Sequence, residues 1–174
     1  HVDQFVRGKG YFERTEFIET EEKVNRRFPF LLTTGRILSQ YNVGAQTRRT
    51  ANIGWHEQDL LEIHPHDAEN LGIHDLDAVQ VASRAGETVL TALITDRVQP
   101  GVVYTTFHHP ESGANVVTTD NSDWATNCPE YKVTAVHLKK VERPSDWQTE
   151  HRAFTETQVN LLTQAAKRAF DETA

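Results

Sequence analysis

Three short clusters of polar and glycine residues carry the chemistry this chain offers. The first reads Thr34-Gly35-Arg36, then Gln40-Tyr41-Asn42-Val43-Gly44, then Thr47-Arg48-Arg49. The second is Gly113-Ala114-Asn115, and the third is Pro129-Glu130-Tyr131-Lys132. Glycines let a backbone approach a ligand closely, arginines offer paired donors to phosphate oxygens, and Gln and Asn read base edges or ribose hydroxyls. Together they describe a cradle for a polar, phosphate-bearing ligand. Charge points the same way. Between Glu22 and Glu57 there is no Asp or Glu, yet the stretch holds Lys23, Arg26, Arg27, Arg36, Arg48 and Arg49. Such a run is either a local anion site or a solvated basic face.

Other chemistry is weaker. His56-Glu57 begins like a zinc-protease helix, but Leu60 stands where the second histidine is required. His64 and His66 are two apart around a helix start and do not share a face. His108 and His109 close a strand that feeds a long loop, though neighbours on an extended chain point opposite ways. The lone Cys128 reads as an incidental thiol, and no carboxylate pair stands out from the surface acids. Gly-x-Ser-x-Gly, Walker and Gly-x-Gly-x-x-Gly patterns are absent.

These clusters need a β scaffold to converge. Phe30-Leu31-Leu32-Thr33-Thr34 predicts a buried strand ended by Gly35, and Ile63 closes a second short run. Pro65 opens a brief helix with Gly72 as its left-handed cap. Ala78–Ser83 alternates as a half-buried strand, residues 84–87 read as a turn, and Thr88–Thr95 reads as a central strand buried on both faces. Pro100-Gly101 turns the chain into Val102–Phe107, and Val133–Val141 is the last strand. Residues 108–131 form a long loop. After Pro144 the pattern becomes helical: Thr155 with Gln158 reads as a capping box, and Val159, Leu162, Ala166 and Phe170 form an apolar stripe suited to docking on the barrel or on a larger parent.

The 174 residues suffice for one domain with a full core. Hydrophobic content of 37% and charged content of 25% argue against wholesale disorder. A net charge of −7 excludes a general nucleic-acid or membrane-surface binder. One cysteine excludes an internal disulfide and a Cys-rich metal site. No apolar run reaches the roughly 18 residues of a membrane span, and the N-terminus has no secretion signal. Methionine is absent even at position 1, which points to a piece of a longer chain.

The ordered motifs resemble those of a known family. Thr33 to Asn42 (Thr-Thr-Gly-Arg-Ile-Leu-Ser-Gln-Tyr-Asn), Thr47-Arg48-Arg49, Leu61 to Ala68 with Leu71-Gly72-Ile73, Thr105 to Pro110 (Thr-Thr-Phe-His-His-Pro), Gly113-Ala114-Asn115 and Pro129 to Lys132 are similar to the C-terminal dinucleotide-binding domain of molybdopterin oxidoreductases. The likeness spans residues 28–142 and is strongest to the catalytic alpha subunits of cytoplasmic, NAD-linked formate dehydrogenases. It implies a mainly β fold with short helices, a double-psi β-barrel at 28–143, preceded by an arm at 1–27 and followed by a tail with a docking helix at 144–174.

It further implies molybdopterin guanine dinucleotide (bis-MGD), with molybdenum or tungsten, as cofactor. Arg36, Gln40 and Asn42 fall in the first cofactor loop, His108 and His109 in the loop nearest the pterin, Asn115 in the next, and Tyr131 with Lys132 in the last. Arg36 and Lys132 are expected on pyrophosphate or pterin oxygens, and Gln40, Asn42 and Asn115 on polar edges. Arg48 and Arg49 fit either a further ligand contact or an anchor to neighbouring domains. No catalytic residue or metal ligand is expected within these 174 residues; the metal-bound Cys or selenocysteine, its His and Arg, and the iron–sulfur cysteines belong upstream. The resemblance thus implies formate as substrate, other domains of the catalytic subunit and NAD- or flavin-binding diaphorase subunits as partners, and an inactive isolated stretch. A nitrate reductase-like parent and a free-standing binding barrel without redox activity are the alternatives. Cofactor chemistry in such enzymes is the cofactor's own, and the protein supplies binding, orientation and electrostatics.

Overall fold

Alternating apolar and polar side chains on short β-branched runs leave each strand with one face to bury, and here six strands bury it by closing on themselves. The computed structural model describes residues 2–3, 5–123 and 125–171. Its strands are β1 (Phe30–Gly35), β2 (Leu60–Ile63), β3 (Ala78–Ala82), β4 (Glu87–Ile94), β5 (Val102–Thr106) and β6 (Thr134–Lys140). The helices are α1 (Pro65–Leu71) and α2 (Asp146–Asp171). Around the closed barrel the order is β1-β5-β2-β4-β3-β6. β1 with β5 and β2 with β4 run parallel; every other neighbouring pair is antiparallel. The mainly β barrel with a C-terminal helix expected from the sequence is therefore the fold.

Leu32, Leu61, Ile63, Val79, Val81 and Val103 are fully buried inside it. Each such side chain contributes about 1.5–3 kcal/mol relative to exposure. α1 is built as the sequence predicts. Pro65 sits in its first turn, the His64 ring accepts the His66 N–H, and Gly72 ends it at φ 65°. Asp67 of α1 accepts the Gly101 N–H at 2.6 Å, which locks the turn before β5.

Three expectations change. β4 is not buried on both faces: Thr88, Leu90 and Ala92 point into the barrel, whereas Val89, Thr91 and Leu93 are only partly covered. A closed barrel has one interior, so a β-branched outer face is compatible with partial exposure. The capping box lies ten residues earlier than predicted. Ser145 Oγ accepts the Gln148 N–H at 3.2 Å, and Gln148 Oε1 accepts the Ser145 N–H at 3.1 Å. Thr155 is inside α2 and donates to the His151 carbonyl. Of the apolar stripe expected to dock on the barrel or on a larger parent, Val159 and Leu162 are exposed rather than packed on the barrel, which leaves the larger parent for them; the side chains of Ala166 and Phe170 lie outside the described residues.

What does dock is the first turn of α2. Val89 precedes the β2–β4 register, which begins at Leu60 and Thr91. Gln148 takes up that free edge, accepting the Val89 N–H at 2.9 Å and donating to the Val89 carbonyl at 2.8 Å. At the other terminus Glu22 is buried and receives Arg84 Nη1 at 2.6 and 2.9 Å, so the stretch leading into β1 is tied to the β3–β4 turn.

Candidate cradle at one end of the barrel

Strand direction gathers the polar clusters. Because β1 and β5 are parallel and in register up to Gly35–Thr106, the loops that leave them emerge side by side. β2 runs antiparallel to β5 and β6 antiparallel to β1, so the residues entering β2 and β6 arrive at the same end. Asp59, just before β2, thus meets the residues after β5, and Tyr131, just before β6, meets the end of β1. Thr34 Oγ1 donates to the Tyr131 carbonyl at 2.8 Å, and Lys132 Nζ reaches the Thr34 carbonyl at 3.4 Å.

The loop after β1 folds over the loop after β5. Arg36 is exposed; its Nε and Nη2 donate to Asn42 Oδ1 at 3.3 and 3.2 Å, and its guanidinium lies 5.2 Å from the Phe107 ring centre. Asn42 sits at φ 48° and Gly44 at φ 69°. A Cβ on Gly44 would come within 2.8 Å of Arg48 Nε and 2.9 Å of the His108 carbonyl, so the loop can lie this close only with glycine there. Gln40 is buried, and its Oε1 accepts the Thr47 hydroxyl at 2.6 Å.

His108 is completely buried and pins this arrangement. Its Nε2 accepts the Ile37 N–H at 3.1 Å, while Nδ1 meets the Asn42 carbonyl. A backbone N–H can only donate and a carbonyl can only accept, so the ring carries its proton on Nδ1. Both nitrogens are thereby engaged within the chain.

Asp59 escapes sequence reading, which singles out no acid. Its carboxylate is 2% exposed. Oδ1 accepts from the Thr106 hydroxyl, from the His108 N–H at 3.1 Å and from His109 Nδ1 at 3.1 Å; Oδ2 accepts from the His109 N–H at 3.0 Å and from Ser112 Oγ at 2.6 Å. Burial pushes the acid upward, but the donors from Ser112, Thr106 and His109 outweigh it and hold the carboxyl below its ordinary value. The available signal is slight: one acid standing directly before the apolar run of β2.

Asn115 is exposed and shares a cavity of about 200 Å³ with Val43, Phe107, His109 and Trp147. Tyr131 meets Phe107 edge-on at 6.3 Å. Arg48 lies 3.7 Å from Glu111, which joins the first loop to the second by a further contact, whereas Arg49 is exposed. Arg36, Gln40, Asn42, His108, His109, Asn115, Tyr131 and Lys132 therefore all stand at one barrel end. Four buried side-chain polar atoms lack a hydrogen-bond partner among the described residues. Three of them, Gln40 Nε2, Arg48 Nε and His109 Nε2, belong to these loops. Buried polar atoms are normally paired, so three unpaired ones at one barrel end set these loops apart from the rest of the described structure.

Comparison with known proteins extends this picture. A family model described as Molydopterin dinucleotide binding domain matches residues 30–135. The chain is 37% identical over 135 residues to F420-dependent formate dehydrogenase 1 subunit alpha of Methanococcus maripaludis, covering 77% of this chain and 20% of that protein. It is 38% identical over 144 residues to F420-dependent formate dehydrogenase subunit alpha of Methanocaldococcus jannaschii, covering 81% and 21%. A nitrate reductase of Symbiobacterium thermophilum is 35% identical over 138 residues, 76% of this chain and 18% of that one. The chain thus spans about a fifth of the length of the curated relatives it matches. Among solved structures, acetylene hydratase from Pelobacter acetylenicus shares the fold with a TM-score of 0.57 at 18% identity, over 66% of this chain and 18% of that one.

Proposed function

Since the chain belongs to the molydopterin dinucleotide binding domain family, we propose that it closes over the guanine dinucleotide cofactor of a formate dehydrogenase catalytic subunit. The observation that carries the reading is the convergence of three cradle segments, with three unpartnered buried polar atoms, at one barrel end. The donor set fits the group: a guanidinium, an ammonium, and amides beside glycine-permitted close backbone approaches. Residues 28–143 are the binding barrel, and residues 1–27 and 144–174 connect it to the rest of the subunit.

Arg36 and Lys132 would hold pyrophosphate or pterin oxygens, because both cations stand at the loop mouths with only neutral partners among the described residues. Gln40, Asn42 and Asn115 would read polar edges. Tyr131 would shape the wall beside Phe107. His108 would serve by folding the first loop, and His109 by facing the ligand. When bound with molybdenum or tungsten, the cofactor supplies the redox chemistry that takes formate to CO₂. The reacting residues lie in the rest of the subunit, and this chain binds and orients.

Formate is favoured by the relatives' names, with 36–38% identity to three formate dehydrogenase alpha subunits. A nitrate reductase-like parent is the second reading, supported by the 35% match above. Electrons would leave through iron–sulfur centres to a partner subunit. NAD with a diaphorase is the acceptor drawn from the sequence resemblance, whereas the two formate dehydrogenase relatives named above are F420-dependent. Assaying the whole enzyme with each acceptor distinguishes them. No helix among the described residues is long and apolar enough to cross a membrane, and a cytoplasmic enzyme accords with that.

The test is Arg36→Ala in the full-length enzyme. Molybdenum or tungsten content and released guanine nucleotide should both fall below wild type. Unchanged content with normal formate turnover would remove Arg36 from the cradle. A wild-type enzyme with neither metal nor nucleotide would overturn the reading itself.

A further inference from the structure

We propose that Asp59 is a positioning residue of the cradle: it holds His109 as the Nδ1–H tautomer, so that Nε2 is presented as an acceptor for a ring N–H, amine or hydroxyl of the bound dinucleotide. This rests on the dinucleotide reading above.

The geometry begins with Asp59, whose two oxygens receive the Thr106 hydroxyl, the His108 and His109 backbone N–H groups, His109 Nδ1 and the Ser112 hydroxyl. An ionised carboxylate can only accept, so the ring nitrogen facing it at 3.1 Å must carry the proton. Neutral imidazole has one proton to place, which leaves Nε2 as an acceptor. His109 is 6% exposed, and its Nε2 has no partner among the described residues.

A clamp needed only to shape the loop would be complete without the ring. Ser112, Thr106 and the two backbone N–H groups already tie the β5 exit to the start of β2. The added ring contact fixes the orientation of a side chain whose other nitrogen is buried and unpaired. His108 offers the contrast, because its Nε2 already accepts from Ile37. Of the two adjacent histidines, one finishes the fold and the other is left to bind. A carboxylate that sets which imidazole nitrogen is free is a recurrent way of orienting a histidine toward a bound group.

Ring ¹⁵N NMR of the 174-residue chain, with His109 assigned by loss of its signals in His109→Gln, tests the first half without any cofactor. Wild type should show Nδ1 protonated and Nε2 bare at His109. An Nε2–H tautomer there overturns the proposal, and that result needs no Asp59 variant to fold. In Asp59→Asn the His109 pattern should shift toward the Nε2–H form, while His108 keeps its own.

The second half is read in the full-length enzyme. Asp59→Asn should lose guanine nucleotide and metal relative to wild type, at a protein yield and melting temperature that still report a folded chain. A shifted tautomer with wild-type cofactor content would sever His109 from the ligand and sink the proposal. If wild type itself carries no nucleotide, the dinucleotide reading fails while the tautomer result stands, so the two failures are distinguishable.

Discussion

His108 Nε2 accepts the backbone N–H of Ile37 at 3.1 Å, across 71 positions of sequence. With the Asn42 carbonyl on its other nitrogen, this fully buried ring is the internal partner of two backbone groups in the first cradle loop. Replacing it with Ala strands both groups and opens a cavity, and each unsatisfied buried group costs about 1–3 kcal/mol. His108→Ala should therefore lose roughly 2–4 kcal/mol in urea unfolding, seen as a lower midpoint at an unchanged slope. His108→Gln should recover part of the loss, because an amide can accept from Ile37 and donate to Asn42. Equal stability for wild type and His108→Ala would show that the ring does not organise the loop.

Gly113 is strained for any other residue on two counts. It sits at φ 61°, and an added Cβ would lie 2.5 Å from the Trp147 ring. Gly113→Ala should destabilise by about 1–3 kcal/mol through overpacking and by roughly 1 kcal/mol more through the left-handed backbone. The two parts separate in a Trp147→Ala background, where only the backbone share should persist. A thermal-melt double-mutant cycle reads the difference. Additive losses would mean that the α2 turn does not rest on the second cradle loop.

The barrel was legible in the sequence because its strands are short β-branched runs with clear punctuation, such as Gly35, Gly72 and Pro100-Gly101. The partial exposure of the outer face of β4 is not legible, since alternation in a strand rich in Val, Leu and Thr does not reveal which face has a partner. The cradle loops were legible as residue types but not as contacts. That His108 binds Ile37 and Asn42 follows from the parallel β1–β5 pairing, which no local pattern encodes. Asp59 was invisible for the same reason: its partners begin 47 residues later, at Thr106.

The start of α2 supplies a test of that lesson. Thr155 and Gln158 have the spacing of a capping box, but so do Ser145 and Gln148, and only the latter pair stands where the chain has turned off the barrel. Ser145→Ala should cost about 1 kcal/mol of stability, with hydrogen exchange accelerating over residues 146–152. Thr155→Ala should stay within about 0.5 kcal/mol of wild type, because alanine suits an exposed helix interior at least as well as threonine. The reverse ranking would restore the later start.

Asp59 also predicts how the chain responds to acid. Its carboxyl is held below the ordinary value in the fold, against about 3.9 for the unfolded side chain. A group depressed in this way contributes stability that is complete above the unfolded value and is lost as the pH falls through the folded one. The contribution should thus be constant from pH 7 down to about 5 and decline below roughly 4, as the unfolded chain takes up the proton first. Asp59→Asn cannot titrate, and it places an amide among donors that all require an acceptor. Urea unfolding of both proteins from pH 7 to pH 3 should show a wide stability gap at neutral pH that narrows in acid. A gap of constant width would mean that the Asp59 carboxylate is not what ties the loop after β5 to the start of β2.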